Sequence, residues 1–213
     1  GLIFGHVMDG KGGGREIGWD EVGAWRPADG PMWLHLDRNA EESESWLTTA
    51  SGLDPIVVDA LLAEETRPRA ANMGDGLLVI LRGVNLNPGA DPEDMVAVRL
   101  WVDEHRVISM RARKVMAVAD LHDAMQVGRG PKSSADFLVQ LAARLVDRMA
   151  PVIEELDDVD LLIPHQANQR KYYWQQLYTQ QMSKIASLKR QIQQLDRDIP
   201  GLWNDFYSRD DPA

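Results

Sequence analysis

An acidic run in the second half of the chain holds the residues best suited to chemistry. Five of the seven residues from 154 to 160 are Asp or Glu. On a helix, three- and four-residue spacing would place Glu154, Asp157 and Asp158 on one face. Carboxylates are hard oxygen ligands for Mg²⁺ or Ca²⁺ and are acceptable to Zn²⁺, and a histidine would add a nitrogen ligand. The residues predicted to contact a cation are Glu154, Asp157, Asp158, Asp160 and His165.

The same run has a second interpretation, which is a helix face exposed to water. Charged residues commonly occupy the solvent side of an amphipathic helix. Like charges at this spacing repel one another, so a cation that screens them would also stabilise the helix. The pattern alone leaves both interpretations open.

The other candidates for chemistry are weaker. The five histidines of the chain include no pair at the spacing of helical metal ligands. His35 with Asp37 would form one edge of a metal site, or His35 is a strand-end histidine bonded to the backbone. The segment from Gly10 to Gly14 lacks the Lys-Ser/Thr pair that closes a phosphate-binding loop, which favours a hairpin turn. No Ser-His-Asp arrangement has a recognisable signature, and we expect no catalytic residue.

The composition narrows the possible function classes. The 213 residues include 33 acidic and 23 basic ones, and the formal net charge of −10 favours cations over nucleic acid as partners. The absence of cysteine excludes disulfides, thiolate metal sites and cysteine nucleophiles. The longest nearly uncharged apolar stretch, from Gly76 to Leu81, is far shorter than the ~20 residues of a membrane helix. We therefore expect no membrane span within this sequence.

Charge is unevenly distributed along the chain. Residues 40–65 contain seven acids and no Lys or Arg, whereas residues 106–132 and 165–199 each contain six bases and two acids. These segments are either exposed faces of separate helices or complementary faces that meet between copies of the chain.

Hydrophobic periodicity and turn residues predict an α/β chain. Short connections between consecutive strands indicate antiparallel neighbours rather than a doubly wound sheet. Asp54 is expected to cap a helix that has Pro55 in its first turn. The predicted strands are 2–8, 16–19, 32–36, 76–85, 95–103 and 106–111, and the predicted helices begin near residues 40, 54, 115 and 133.

The second half is predicted to contain long helices. One begins at residue 133 or 134 and carries apolar residues on one side as far as residue 156, with Pro151 expected to bend it. A further helix has nine glutamines within residues 165–194 and an apolar seam over residues 182–199. That seam would pack on partner helices, or the helix would pack on its own domain.

Several segments between residues 33 and 160 form a co-linear series. They are Trp33-Leu-His-Leu-Asp-Arg38, Ser51-Gly-Leu-Asp-Pro55, Ala60-Leu-Leu-Ala-Glu-Glu-Thr-Arg-Pro-Arg69, the stretch from Asp75 to Met95, Val98-Arg-Leu-Trp-Val102 and Arg106-Val-Ile-Ser109. In this order they resemble the amino-terminal cytoplasmic region of the CorA superfamily of divalent-cation transporters. The last three are similar in particular to its ZntB zinc-transporter branch.

The resemblance implies a fold, an assembly and a function. Superfamily members are homopentamers whose cytoplasmic domains form a funnel, each an α/β/α sandwich with a mainly antiparallel sheet flanked by helices. It implies an α/β (α+β) domain over residues 1–130 and long stalk helices of the funnel over residues 131–213, with transmembrane helices to follow. The chain would lie on the cytoplasmic face of the bacterial inner membrane. There it would gather or sense zinc and other divalent cations and support the pentamer.

Two features depart from the family pattern. The pore signature Gly-Met-Asn, or Gly-Ile-Asn, does not occur in this sequence, and residues 161–181 differ from the charged, leucine-rich continuation of the family. Magnesium or cobalt therefore stays open as the transported ion beside zinc. Lys and Arg of the later helix are expected to hold anions such as chloride. The alternative from another class of proteins is a stand-alone cytosolic α/β enzyme or ligand-binding protein. Its site would consist of the glycine turn and His35 with Asp37.

Overall fold

A seven-stranded mixed sheet forms the centre of the fold. The computed structural model describes residues 1–64, 67–92 and 94–152 and the helical positions 176, 179 and 183. The strands are β1 (Leu2–Met8), β2 (Gly14–Ile17), β3 (Met32–Asp37), β4 (Arg69–Met73), β5 (Gly76–Gly83), β6 (Val96–Val102) and β7 (Arg106–Arg111). Their order is β2-β1-β3-β7-β6-β5-β4, and of the neighbouring pairs among these strands only β3 and β7 run parallel.

Helices cover both faces of this sheet. They are α1 (Trp19–Val22), α2 (Glu41–Thr49), α3 (Pro55–Leu62), α4 (Met116–Gln126) and α5 (Ser134–Asp147). Successive strand residues face opposite sides, so Ile108 packs in one core with Leu47 and Leu61, while Val107 packs in the other with Phe137. The structure confirms the predicted α/β/α sandwich with a mainly antiparallel sheet.

The glycine-rich segment is the turn of the β1–β2 hairpin, as predicted. Asp9 Oδ1 accepts hydrogen bonds from the backbone N–H groups of Lys11, Gly12 and Gly13 at 2.7, 3.0 and 3.0 Å. Gly10 and Gly12 have φ values of +71° and +112°, in a region that favours glycine. These backbone bonds lower the pKa of Asp9. Because Asp9 already occupies the N–H groups of the turn, the turn is not a phosphate-binding loop.

Helix caps explain where two of the helices begin. Asp54 accepts a hydrogen bond from the Ile56 N–H at 2.8 Å, with Pro55 in the first turn of α3. The Ser133 hydroxyl accepts a hydrogen bond from the Asp136 N–H at 3.1 Å at the start of α5. The Asp54 cap was predicted, and Ser133 is one of the two residues that were predicted to begin the later helix.

The structure corrects three details of the predicted elements. The sequence Arg69-Ala-Ala-Asn-Met73 forms the edge strand β4, which its composition does not signal because few of these residues favour strands. The second predicted strand ends at Ile17, because Trp19 begins α1. The parallel β3–β7 pair was not predicted, since the short-connection argument does not apply to strands separated by 68 residues.

The helical segment that follows residue 133 is interrupted before Pro151, as predicted. Regular α5 ends at Asp147, two turn residues follow, and residues 150–152 are helical again. Proline has no N–H to donate to the carbonyl of the preceding turn, which accounts for the break. Helix α5 packs on the sheet through Phe137, Leu141 and Leu145. A division of the chain at residue 130 stays a prediction.

None of the helices in the described part of the chain combines the length and apolarity needed to cross a membrane.

Candidate functional site

The residues predicted to contact a cation lie outside the described residues. Glu154, Asp157, Asp158, Asp160 and His165 all fall in the segment 153–175. Their role as cation contacts therefore stays a prediction. Among the residues that the structure does describe, no group of three or more His, Cys, Asp or Glu side chains is placed to hold a metal ion.

His35 and Asp37 are engaged by separate partners. The ring Nδ1 of His35 lies 2.8 Å from Ser109 Oγ, and the whole side chain is buried. The Asp37 carboxylate accepts a hydrogen bond from the Asn39 N–H at 2.9 Å. The partner of the His35 ring is thus Ser109 and not Asp37.

The Ser109 hydroxyl organises a buried polar network. It accepts a hydrogen bond from Trp33 Nε1 at 2.8 Å and donates to the Leu34 carbonyl at 3.1 Å. Because the hydroxyl proton is used in this way, His35 Nδ1 carries the hydrogen of the contact and Nε2 is an acceptor. Burial lowers the pKa of His35 to about 3, so its ring is neutral at neutral pH.

A second buried histidine, His6, belongs to an aromatic cluster beside this network. The ring centroid of Phe4 lies 5.7 Å from that of His6, 4.9 Å from that of His35 and 4.3 Å from that of His122. His6 is 1% exposed, and neither of its ring nitrogens has a hydrogen-bond partner among the described residues. Burial, with a contribution from nearby His122, lowers the pKa of His6. The cluster is therefore one of packed aromatic rings in which His6 is held away from its charged form.

A cavity of about 690 Å³ lies on the sheet beyond the end of α3. Ile80, Arg82, Ala97 and Arg99 of its lining alternate along β5 and β6 with residues that pack under α4 and α5, so the cavity lies mainly on the α1–α3 face. Its described carboxylates are Glu64 and Asp94. The arginines that line it are Arg38, Arg67, Arg69, Arg82, Arg99 and Arg113. We call this feature the arginine cavity.

Strand register brings the arginines of the cavity floor together. Ile80 on β5 pairs with Arg69 on β4 and with Arg99 on β6, so these three residues form a row across one face of the sheet. Arg82 lies two positions further along β5, opposite Ala97. Cross-strand neighbours are close enough for their side chains to interact.

Two of these arginines also hold the end of α3. Arg99 Nη2 donates to the carbonyls of Ala63 at 2.9 Å and Glu64 at 3.3 Å. Arg38 Nη1 donates to the carbonyls of Leu62 at 3.1 Å and Ala63 at 3.3 Å. The last carbonyls of a helix lack partners within the helix and carry partial negative charge, so they attract cations.

The electrostatic environment of Arg99 is unfavourable to its charge. Burial, together with the charges of Arg38 and Arg82, lowers the pKa of Arg99 to about 10. The guanidinium remains charged at neutral pH. Its Nε, like that of Arg38, is buried without a hydrogen-bond partner among the described residues.

Sequence reasoning did not find the arginine cavity. Its arginines are spread over residues 38–113. The number of charged residues in each segment therefore did not indicate that these arginines share one surface. The sequence feature that could have indicated the cavity is a pair of arginines, Arg82 and Arg99, which interrupt the otherwise apolar strands β5 and β6. Placing Arg69 beside them required knowledge of β4.

The sequence is similar to a known protein family and to several known proteins. The profile of the family described as CorA-like Mg²⁺ transporter protein matches residues 28–200. The divalent cation transporter CmaX of Pseudomonas aeruginosa is 45% identical over 170 residues, which are 76% of this chain and 51% of the relative. The zinc transport protein ZntB of Yersinia enterocolitica is 36% identical over 156 residues, which are 73% of this chain and 47% of the relative. The chain thus spans about half the length of these curated relatives.

Two solved structures have a similar fold. The structure of full-length CmaX superposes with a TM-score of 0.73 and 32% identity, covering 98% of this chain and 80% of that one. The ZntB cytoplasmic domain from Vibrio parahaemolyticus gives a TM-score of 0.65 and 22% identity, covering 92% of this chain and 98% of that domain. The second likeness concerns the fold alone.

Proposed function

Since this chain belongs to the family of CorA-like Mg²⁺ transporter proteins, we propose that it is the cytoplasmic domain of a membrane transporter of divalent cations. The observation that carries the proposal is the family match over residues 28–200. The 45% identical relative CmaX, which is named as a divalent cation transporter, supports the same assignment. The family is one of transporters, in agreement with the prediction that the chain is not an enzyme.

Zinc is the ion that we propose for this transporter. Relatives named as zinc transport proteins are 36% identical to the chain, and the 45% identical CmaX is named as a transporter of divalent cations. Magnesium and cobalt are the alternatives, since the family description names Mg²⁺. Transport requires rapid ligand exchange, for which partly hydrated carboxylate sites serve better than a closed four-ligand zinc site.

The proposed cation contacts are the acidic residues Glu154, Asp157, Asp158 and Asp160, with His165. Their support is the density of carboxylates and the net charge of −10, which attracts cations. Calorimetric titration of the chain with Zn²⁺ or Mg²⁺ tests them. We expect weak binding that Asp157→Asn combined with Asp158→Asn reduces. The pair Glu41→Gln and Glu44→Gln, which removes two exposed charges on α2, is the control.

We further propose that the chain is part of a homopentamer at the cytoplasmic face of the inner membrane, with residues 131–213 as the stalk of a funnel. Chloride held by Lys and Arg of the later helix belongs to the same proposal. The homopentamer is supported by the predicted apolar seam over residues 182–199, which suits helix association. Light scattering of the natural full-length protein in detergent measures the number of subunits, and a monomer would contradict this part of the proposal.

The natural gene and living cells provide two tests of the transporter assignment. We expect the reading frame beyond Ala213 to encode two apolar segments of about 20 residues each. We also expect cells that express the full-length protein to differ in zinc content from cells with an empty vector. A gene without apolar segments would favour the stand-alone protein and contradict the assignment.

A further inference from the structure

We propose that the arginine cavity binds a small anion that carries two or more linked phosphate groups, such as pyrophosphate, triphosphate or a nucleoside polyphosphate. None of the residues that line this cavity belongs to the proposed cation contacts, and the proposal goes beyond the transport of cations.

The first argument is the concentration of positive charge in an acidic protein. Six arginines line the cavity against two described carboxylates, although the whole chain has a net charge of −10. One of those carboxylates, Asp94, pairs with Arg113 at 2.7 Å, and both groups are exposed. The side chains of Arg67 and Arg69 make no hydrogen bond or ion pair with other described residues, although the backbone of Arg69 pairs with β5. Clustering like charges costs energy, so an anionic ligand would offset the repulsion.

The second argument is that part of the cluster is fixed in place. Arg99 is 3% exposed, and its Nη2 is held by the carbonyls of Ala63 and Glu64. Arg38 is held in the same way by Leu62 and Ala63. The Nε–H groups of both arginines are buried and have no acceptor among the described residues. Both residues line the cavity, so their fixed positive charges would act on an anion bound there.

The third argument concerns the size and chemistry of the ligand. A volume of about 690 Å³ is that of a small-molecule site, large enough for a nucleotide. Planar guanidinium groups bind phosphate oxygens through paired hydrogen bonds, whereas a halide ion offers only a single charge. Several arginines on three neighbouring strands match several phosphate groups better than one. A long nucleic acid is disfavoured by the acidity of the rest of the molecule.

Calorimetric titration of the chain with pyrophosphate, triphosphate, ATP, AMP and orthophosphate, without divalent cations and at constant ionic strength, tests the proposal. We expect pyrophosphate, triphosphate and ATP to bind at least about tenfold more tightly than AMP or orthophosphate. If pyrophosphate binds as tightly as ATP, the phosphate groups alone are recognised. If ATP binds more tightly than pyrophosphate, the nucleoside also contributes to binding. Equal affinity for all five ligands, or binding of none, would overturn the proposal.

Two matched arginine variants test whether pyrophosphate binds in the arginine cavity. Arg69→Gln removes an exposed lining arginine, and Arg129→Gln removes an exposed arginine after α4 that does not line the cavity. We expect Arg69→Gln to weaken pyrophosphate binding by at least about tenfold and Arg129→Gln to change it by less than about twofold. Equal effects of the two substitutions would mean that binding reflects net charge alone, and the proposal would be wrong. Both positions are exposed, so neither variant should impair folding.

Discussion

Arg38 and Arg99 donate hydrogen bonds to the same oxygen, the carbonyl of Ala63 at the end of α3, at 3.3 and 2.9 Å. Two positive groups from β6 and the end of β3 thereby meet at one acceptor. The partial negative charge of the helix end offsets part of their repulsion, but one carbonyl does not neutralise two guanidinium groups. This junction joins α3 to the sheet and forms the inner wall of the arginine cavity.

Replacing Arg99 should cost little stability, because its charge is disfavoured where it lies. Burial and the charges of Arg38 and Arg82 lower the pKa of Arg99 to about 10. A buried charge replaced by an apolar group of similar volume is often neutral or stabilising, so Arg99→Met should change the free energy of unfolding by no more than about 1 kcal/mol in either direction. Urea unfolding at low ionic strength measures it. Destabilisation by more than about 2 kcal/mol would show that the bonds to α3 outweigh the repulsion.

Arg148 is the opposite case, because a carboxylate stabilises its charge. Its Nε and Nη2 donate to the two carboxylate oxygens of Asp120, which joins α5 to α4 and raises the pKa of Arg148. Such bidentate pairs are stronger than single contacts. A double-mutant cycle with Arg148→Met and Asp120→Asn should give a coupling energy of about 1 kcal/mol or more.

The exposed pair Arg15 and Glu21 supplies the control for that cycle. Its side chains are 62% and 50% exposed, so solvent screens the charges. The corresponding cycle with Arg15→Met and Glu21→Gln should give less than about 0.5 kcal/mol. Coupling energies of equal size in the two cycles would contradict the assigned role of Arg148.

Removing the Ser109 hydroxyl should destabilise the fold. Ser109→Ala leaves the buried Trp33 Nε1 and His35 Nδ1 without their partner. An unsatisfied buried polar group costs about 1–3 kcal/mol, so we expect a loss of about 2 kcal/mol or more in the free energy of unfolding. Ser45→Ala, at an exposed position on α2, should change it by less than about 0.5 kcal/mol. A small loss for Ser109→Ala would mean that water or a repacked side chain replaces the hydroxyl.

The stability of the protein should fall as the pH is lowered from about 7.5 to about 5.5, because buried histidines bind protons only after unfolding. The pKa of His35 is about 3 in the folded state, against an ordinary value of 6.5 for an exposed histidine, so the unfolded state binds more protons in this window. His35 alone should account for about 1.4 kcal/mol of the loss, and His6, whose pKa is also lowered, should add to it.

Variants separate the contribution of His35 from that of other groups. His35→Gln should flatten the dependence of the unfolding free energy on pH, whatever its effect on stability at pH 7.5 or so. Ser45→Ala, at an exposed position on α2 and without a titratable side chain, should leave the slope as in the parent. An unchanged slope for His35→Gln would contradict the neutral, buried state of this ring.

Local signals in the sequence were sufficient to predict much of the sandwich. The capping residues Asp54 and Ser133 and the hairpin glycines act on neighbours within a few residues, so their effects can be predicted without knowledge of the fold. The meander of β5, β6 and β7 followed from short connections. Edge strand β4 was missed because its exposed residues show no apolar alternation.

The arginine cavity could not be predicted because it depends on pairing between distant strands. Arg69 and Arg99 flank Ile80 only when β4 and β6 both pair with β5 in the observed register. The Ser109 network likewise depends on the parallel β3–β7 pair, which brings together residues 74 and 76 positions apart. The predicted cation residues from 154 to 165 lie outside the described residues and stay a prediction.

Flux of zinc into liposomes that contain the purified natural full-length protein tests the central claim most directly. A zinc-sensitive fluorophore inside the liposomes would report the ion, and protein-free liposomes would measure leakage. We predict zinc entry well above leakage, reduced by competing divalent cations that share the pathway. Entry of magnesium or cobalt without zinc would support the assignment as a transporter but would show that zinc is not the transported ion. Failure to carry any of the three ions would contradict the assignment of this chain to a divalent-cation transporter.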